Sequence, residues 1–351
     1  MKYGVILPSL EKKGPNLVAL DIIRGLLELH HDIQIKVFYF RSSSCELSFP
    51  VETKKIGFFE NVDFSSFDIV HSHMMKPDIF VFIHKMIGRM RGPQAVTTLH
   101  QKDMVNLRYD YDSKTKAFVF SAIWRVCLSL HDHVVFLSHS MRTFYSPFFF
   151  NRNHSFIYNG RTFDTAEKLP REKVSGRLYK LGVACLLTKR KGLEQVVKAL
   201  VQLPEYEFHI AGEGPERDAL MALCSEVGVE RRVVFRGFID DTASFLDELD
   251  IFVLPSRGEG FPLALIEAAA RSKAIVVSDM DVVLEAFSSN EVKIFKMDDM
   301  DSLVSAIHDA SFESKEISNN IYSRYCRDFT ATSMSIKYSN LFKNLMNKRK
   351  S

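Results

Sequence analysis

Two carboxylates, Glu259 and Glu267, stand eight positions apart in residues 251–270, IFVLPSRGEGFPLALIEAAA. Between them lie Gly260, Phe261, Pro262 and Leu263, and behind them an apolar helical pattern. An ionised carboxylate accepts two hydroxyl donors at fixed spacing, so paired acids on a turn and a helix suit a polyhydroxylated ligand. An acid inside an apolar helix needs a partner of some kind. The other reading has Glu259 stabilising the helix start and Glu267 bonded to a neighbouring amide. Pro262 suits the first helical turn, where its missing N–H costs nothing. Counted from there, Glu267 lies roughly one and a half turns into the helix. Residues 251–254 form an apolar run short enough for one buried strand. A strand, a turn and a helix N-terminus in that order present free N–H groups at the carboxyl end of a sheet, a ready anion site.

The elements that must hold this stretch read as repeated strand–helix–strand units, and so as parallel sheet. In the first half, strands are expected at 3–7, 33–40, 68–73, 94–100, 134–137 and 156–159. Helices are expected from Asn16, as cap, to about His30, at 114–130, and after Ser138. Gly14 precedes the first helix, where backbone could approach a ligand or simply turn. His71, His73 and His100 fall at strand ends on the ligand side; His71 and His73 read as structural side chains. Residues 145–152, YSPFFFNR, read as apolar packing, with lipid contact as the other use of three phenylalanines beside Arg152.

In the second half, strands are expected at 179–185, 207–211, 232–236, 251–254 and 274–277, with helices opening at Lys191-Gly192, Pro215 and Pro262, and at 299–310 and 332–348. Residues 161–177 read as a linker. Gly212 and Gly214 form a G-x-G turn that lets backbone approach a ligand, although the full G-x-G-x-x-G is absent.

Composition bounds the rest. With 351 residues, 46% hydrophobic and 25% charged, the chain suits two ordinary globular domains. Net charge is +3, which does not favour a nucleic-acid partner. Residues 1–165 carry 20 basic and 15 acidic side chains, a mildly basic half that would suit an anionic surface. The five cysteines are scattered, without a C-x-x-C, which speaks for reduced thiols and against a zinc site. The first strand is cut short by Glu11, Lys12 and Lys13, so it is not read as a signal peptide, and no stretch approaches the roughly 18 apolar residues of a membrane span.

The set Glu259…Glu267 within EGFPLALIEA resembles the nucleotide-sugar signature of retaining glycosyltransferase family 4, whose fold is GT-B. The resemblance is densest over residues 181–286. It implies two Rossmann-like α/β domains facing a central cleft: an acceptor-binding domain at 1–165, with the helix at 332–351 packing back on it, and a donor-binding domain at 166–331. It implies Glu267 on the nucleotide ribose and Glu259 on the donor sugar, aided by the backbone of Gly260, Phe261, Pro262 and Leu263. Lys191 would clamp the diphosphate, with Arg190 or Lys189 in support, because Cys185 stands where the family carries an arginine. Gly212, Gly214 and Phe238 would lie beside the nucleotide. His100 would donate a hydrogen bond at the reaction centre. Asn159 matches an Asn-Gly pair, and Gly14 stands alone where relatives pair two glycines. Also implied are a nucleoside diphosphate sugar as co-substrate, UDP by default, no metal and no other cofactor. The acceptor would be a lipid-linked glycan in bacterial surface polysaccharide synthesis, on the cytoplasmic side with peripheral membrane contact. A catalytically inactive sugar-nucleotide or glycan-binding subunit and a GT-B epimerase or phosphorylase are the rivals.

Overall fold

The computed structural model describes residues 1–43, 45–104, 113–146, 153–163 and 177–350. The chain forms two compact units. The first comprises Met1–Thr162 and Phe329–Ser351, the second Phe163–Asp328.

Among the described residues unit 1 holds seven strands: β1 Lys2–Ser9, β2 Gln34–Arg41, β3 Glu52–Lys55, β4 Ile69–His73, β5 Gln94–Leu99, β6 His133–Phe136 and β7 His154–Phe156. They lie in the order β3-β2-β1-β4-β5-β6-β7, and every pairing is parallel. Helices on both faces explain why β1 and β6 read as short apolar runs: Val5, Ile6, Val134 and Val135 are fully buried, as are Ile69 and Val70 of β4. The order reverses between β1 and β4, which leaves a crevice outside the carboxyl ends of those strands.

The first helix is Gly14–Leu29, with Lys13 at the N-cap position and a proline in the first turn. Asn16 was expected as the cap. It lies inside the first turn and donates through Nδ2 to the Glu11 carbonyl at 2.8 Å. Pro15 moves the start because its fixed φ is already helical. Ser138 does cap the helix His139–Tyr145, accepting from the Met141 amide at 3.0 Å.

The last helix, Ala331–Lys350, packs along Gly14–Leu29. Its Tyr338 and Phe342 are fully buried against β1 and β4, with the Phe342 ring 5.1 Å from Tyr3. Burying two such aromatic side chains is worth several kcal/mol. The junction is fixed by backbone pairing of Arg161 with Phe329 and Ala331 and by the buried Arg161–Asp21 ion pair.

Unit 2 holds β8 Tyr179–Ala184, β9 Tyr206–Ala211, β10 Val233–Gly237, β11 Ile251–Leu254, β12 Ala274–Ser278 and β13 Lys293–Phe295. Their order is β10-β9-β8-β11-β12-β13, again wholly parallel, with its reversal between β8 and β11. Each unit is therefore a Rossmann-like doubly wound sheet. Most of the linker read at 161–177, and residues 147–152 of the phenylalanine-rich loop, lie outside the described residues.

Candidate functional site

In unit 2 the residues singled out above converge at the β8/β11 reversal. After β8 the chain passes through a 3₁₀ turn, Lys189–Lys191, and Gly192 into the helix Leu193–Ala199. After β11 it passes through residues 255–262 into the helix Leu263–Ala270. The two loops are tied together by the Arg257 amide donating to the Arg190 carbonyl at 2.8 Å. Gly192 has φ +64°, and a Cβ there would stand 2.1 Å from the Pro255 carbonyl oxygen. Only glycine allows that crossing.

Glu259 sits between two cations. Lys191 Nζ donates to its Oε1 at 2.7 Å, and Arg190 Nη1 reaches its Oε2 at 3.2 Å while also donating to the Gly258 carbonyl at 2.6 Å. Burial pushes the Glu259 carboxyl upward, but Lys191 and Arg190 overcome this and hold it down at about 2. The carboxylate is therefore ionised at neutral pH, and the three side chains form one charged cluster.

Arg257, quoted in the motif but given no role there, braces this cluster from behind. Its guanidinium bonds both Glu194 and Asp298 at 2.7 Å. Asp298 is left-handed, φ +60°, and its amide donates to Gln195 Oε1 at 2.9 Å. Such a backbone costs of order 1–3 kcal/mol unless neighbours hold it. A lone arginine in a loop gives no sign of partners 41 and 63 positions away.

The helix start differs from expectation by one residue. Pro262 is the extended N-cap residue (φ −75°, ψ 109°), and Leu263 is the first helical one. Glu267 is thus about one turn in, half-buried on the helix. No side chain caps this helix, so its first amides point at the carboxyl end of β11. Gly260 and Phe261 are buried; the Phe261 ring lies 6.2 Å from Phe287 and seats the loop on unit 2.

Gly212 and Gly214 also have a use within the fold. Both have positive φ, and their Cβ atoms would meet the carbonyl oxygens of Cys185 and Leu187 at 1.9 and 2.3 Å. The glycines let the loop after β9 lie against the loop after β8, where the Leu187 amide donates to the Glu213 carbonyl at 2.9 Å. Their absent side chains make room for protein backbone, so ligand approach is not needed to explain them. The Gly212 amide also donates to the Gly237 carbonyl at 2.7 Å, which sets the exposed Phe238 beside this turn. Cys185 is half-buried in the same loop, and burial raises its thiol to about 11. It contributes no charge at neutral pH.

In unit 1, His71, His73 and His100 form a cluster at the carboxyl ends of β4 and β5. His71 is fully used: Tyr3 Oη lies 2.8 Å from its Nδ1 and Thr98 Oγ1 2.8 Å from its Nε2. Thr98 continues to Tyr338 on the last helix, also at 2.8 Å. His73 Nδ1 is 2.8 Å from His100 Nε2, and His73 Nε2 is buried with no hydrogen-bond partner. An orphaned N–H costs more than an orphaned acceptor. We therefore assign the His73 proton to Nδ1, donating to His100, which leaves the His100 proton on Nδ1. Burial pulls His100 and His71 down to about 3 and holds His73 well below the ordinary imidazole range, so all three are neutral imidazoles near pH 7. His73, read from sequence as structural, is the group that orients His100.

The loop carrying His100 is pinned by Asp103, which accepts from Arg125 at 2.9 and 3.0 Å and from Ser121 at 2.7 Å. Gly14 begins the first helix, and Asn159 is buried beside the junction to the last helix. His100, Gly14 and Asn159 belong to unit 1, and the remaining candidates to unit 2. Among the described residues no group of three or more His, Cys, Asp or Glu side chains is placed to hold a metal ion.

Comparison with known proteins agrees with this arrangement. Residues 171–326 match the family model for glycosyl transferases group 1. The chain is 28% identical to the O-antigen biosynthesis glycosyltransferase WclY of Escherichia coli, over 98% of this chain and 99% of that one. It is 24% identical to the E. coli UDP-Gal:alpha-D-GlcNAc-diphosphoundecaprenol alpha-1,3-galactosyltransferase, over 92% of this chain and 85% of that one. The fold superimposes on that of Anabaena HepE, solved with UDP, with a TM-score of 0.79 at 15% identity, covering 98% and 100% of the two chains. The two doubly wound sheets, the EGFPLALIEA loop and helix, and these matches make the chain a glycosyltransferase with the GT-B fold, similar over residues 171–326 to the glycosyl transferases of group 1.

Proposed function

We propose that the protein is a retaining, metal-independent glycosyltransferase that moves a sugar from a nucleoside diphosphate sugar, UDP-linked, to a hydroxyl of a lipid-linked glycan. The observation that carries this is the charged cluster of Lys191, Arg190 and Glu259 at the β8/β11 reversal, beside the uncapped start of the helix Leu263–Ala270. Two cations and a row of free amides suit a diphosphate, and an ionised Glu259 between them suits sugar hydroxyls. Glu267, one turn into the helix, takes the ribose.

In the reaction the bond between the anomeric carbon and the diphosphate oxygen breaks. The acceptor oxygen bonds to the same face of that carbon, and its proton passes to the departing phosphate. Lys191, Arg190 and the helix amides stabilise the negative charge as it develops, which is the main electrostatic contribution. Because they supply positive charge from the chain itself, no metal is called for. Neutral His100 donates through Nδ1 to a sugar hydroxyl.

The names of the relatives support the finer points. One acts in O-antigen biosynthesis and the other takes UDP-galactose and a diphosphoundecaprenol-linked sugar. For this chain we infer a role in surface polysaccharide synthesis at the cytoplasmic face of a membrane. A second reading, a sugar-nucleotide-binding subunit without turnover, is favoured by Cys185, a neutral thiol where the family carries an arginine.

Calorimetry with UDP in EDTA tests the proposal. The wild type should bind, and Lys191→Ala should weaken binding at least about tenfold, the worth of one charge-assisted contact. Absence of binding by UDP, GDP and their sugars would overturn it.

A further inference from the structure

Of the three clustered histidines in unit 1, His71 and His73 are fully buried and His100 is half-buried. His71 and His73 lie two apart on β4. Thr98 lies on β5, two before His100 at its end. Residues two apart on a strand share a face, so these four side chains line one side of the sheet. The last helix lays Tyr338 and Phe342 on that side, with their rings 5.5 and 5.9 Å from His71.

His73 has one hydrogen bond, to His100 at 2.8 Å, and none at its other ring nitrogen. A single bond does not fix the rotation of a ring, so its packing must. The His71 ring lies 4.2 Å from that of His73, and the His100 ring 5.1 Å. His71 cannot turn, because both its nitrogens are bonded, one to Tyr3 and one to Thr98. Thr98 is bonded in turn to Tyr338, 240 positions away in the sequence. Support therefore runs from Tyr338 through Thr98, His71 and His73 to His100. Buried polar groups are costly unless each finds a partner, and apolar side chains would fill the same space without that demand. What a satisfied polar network adds is a unique arrangement, here at the end that reaches His100.

We propose that Tyr338, Thr98 and His71 are positioning residues for His100, holding its ring, through His73, in one orientation and one tautomer. The proposal rests on the function proposed above only for what His100 does; the positioning does not.

Ser339 supplies the control. It is buried beside Tyr338 on the last helix, and its Oγ lies 2.6 Å from Nε2 of His30, just past the first helix. It too ties the last helix to the rest of unit 1, but among the described residues no hydrogen bond joins it or His30 to the histidine cluster.

The test is nitrogen-15 NMR of the histidine rings in the full chain without ligand. Tyr338→Phe keeps the ring and removes the hydroxyl; Thr98→Val keeps the shape and removes both bonds. Wild type should show one His100 tautomer. In Tyr338→Phe and in Thr98→Val the two His100 nitrogen shifts should approach each other, as the ring samples both tautomers. The double variant should move them no further than Thr98→Val alone, because the two hydroxyls act through one bond. Ser339→Ala should leave them in place while lowering the urea midpoint of unit 1, read by Trp124 fluorescence, as much as Tyr338→Phe does. Nucleotide release from the donor is measured alongside. In Tyr338→Phe kcat should fall about tenfold, the cost of a displaced group at a reaction centre, with KM for the donor within about twofold of wild type. Unchanged His100 shifts in either variant would overturn the proposal, so one folded variant is enough. An equal change in Ser339→Ala would also overturn it, because any loosening of the last helix would then suffice. Shifts that respond while wild type releases no nucleotide keep the positioning and remove the transferase; release by wild type with unmoved shifts removes the positioning alone.

Discussion

Replacing Glu259 with glutamine keeps the shape of the side chain and removes its charge. Folded, the carboxyl titrates at about 2, against an ordinary value of 4.5. Each tenfold change in acidity is worth 1.36 kcal/mol, so the ionised side chain contributes about 3 kcal/mol to unit 2. Its folded value is depressed. The contribution is therefore complete above about pH 4.5 and is lost as the pH falls toward 2. With a urea dependence of about 2–3 kcal/mol per molar, Glu259→Gln should move the unfolding midpoint of unit 2 down by roughly 1 M at pH 7. The gap should narrow at pH 3.5. The single tryptophan, Trp124, lies in unit 1 and supplies the control. Far-UV circular dichroism follows both units, while tryptophan fluorescence follows the first. The dichroism transition should move and the fluorescence transition should stay. A variant within 0.5 kcal/mol of wild type at pH 7, taking 1.4 kcal/mol per tenfold in the folding equilibrium, or a gap that widens on acidification, would refute the coupling of Glu259 to Lys191 and Arg190.

Four further outcomes are expected. Glu259→Gln should bind UDP at least as tightly as wild type, because Lys191 and Arg190 no longer divide their charge, while nucleotide release from the donor falls; tenfold weaker UDP binding by calorimetry would contradict this. Gly192→Ala combines a left-handed backbone with a Cβ 2.1 Å from the Pro255 carbonyl; it should destabilise unit 2 by about 2–4 kcal/mol in urea unfolding. Nitrogen-15 NMR of the histidine rings should find His73 and His100 neutral from pH 8 down to pH 5, with the His100 proton on Nδ1, and an imidazolium at pH 6 would refute the tautomer assignment. Asp78, buried and accepting from Ser72, Thr97 and Trp124, is raised to about 7 by burial. Its folded value lies above its unfolded one, so it costs unit 1 up to about 4 kcal/mol as the pH rises from 4 through 7. Trp124 fluorescence should show that slope in wild type and lose it in Asp78→Asn.

Much of the fold was legible because parallel strands buried on both faces leave short apolar runs, and crossover helices leave a 3.6-residue period between them. The strands at 251–254 and 207–211 and the cap at Ser138 were read from such local signals. Boundaries set by competing local chemistry were not. Pro15 displaced Asn16 as the cap, and Pro262 took the extended N-cap position one residue outside the helix. The motif residues Glu259 and Glu267 stood out by spacing. The partners of Glu259 did not, since Lys191 and Arg190 are 68 and 69 positions away and meet it only because β8 and β11 are neighbours. Gly212 and Gly214 suggested a ligand loop, but what fills their space is the backbone of Cys185 and Leu187, visible only once the two loops pack. His73 gave no local sign of its role, because its contact with His100 depends on the register of β4 and β5.

The central claim is sugar transfer from a nucleoside diphosphate donor held by unit 2. It is tested most directly by offering the purified protein UDP-glucose, UDP-galactose, UDP-N-acetylhexosamines and GDP-mannose in EDTA, and recording nucleotide release by wild type and Glu267→Ala. Release from one UDP-sugar, lost in the variant, is the predicted result. Silence with every donor, together with no nucleotide binding by calorimetry, would contradict it.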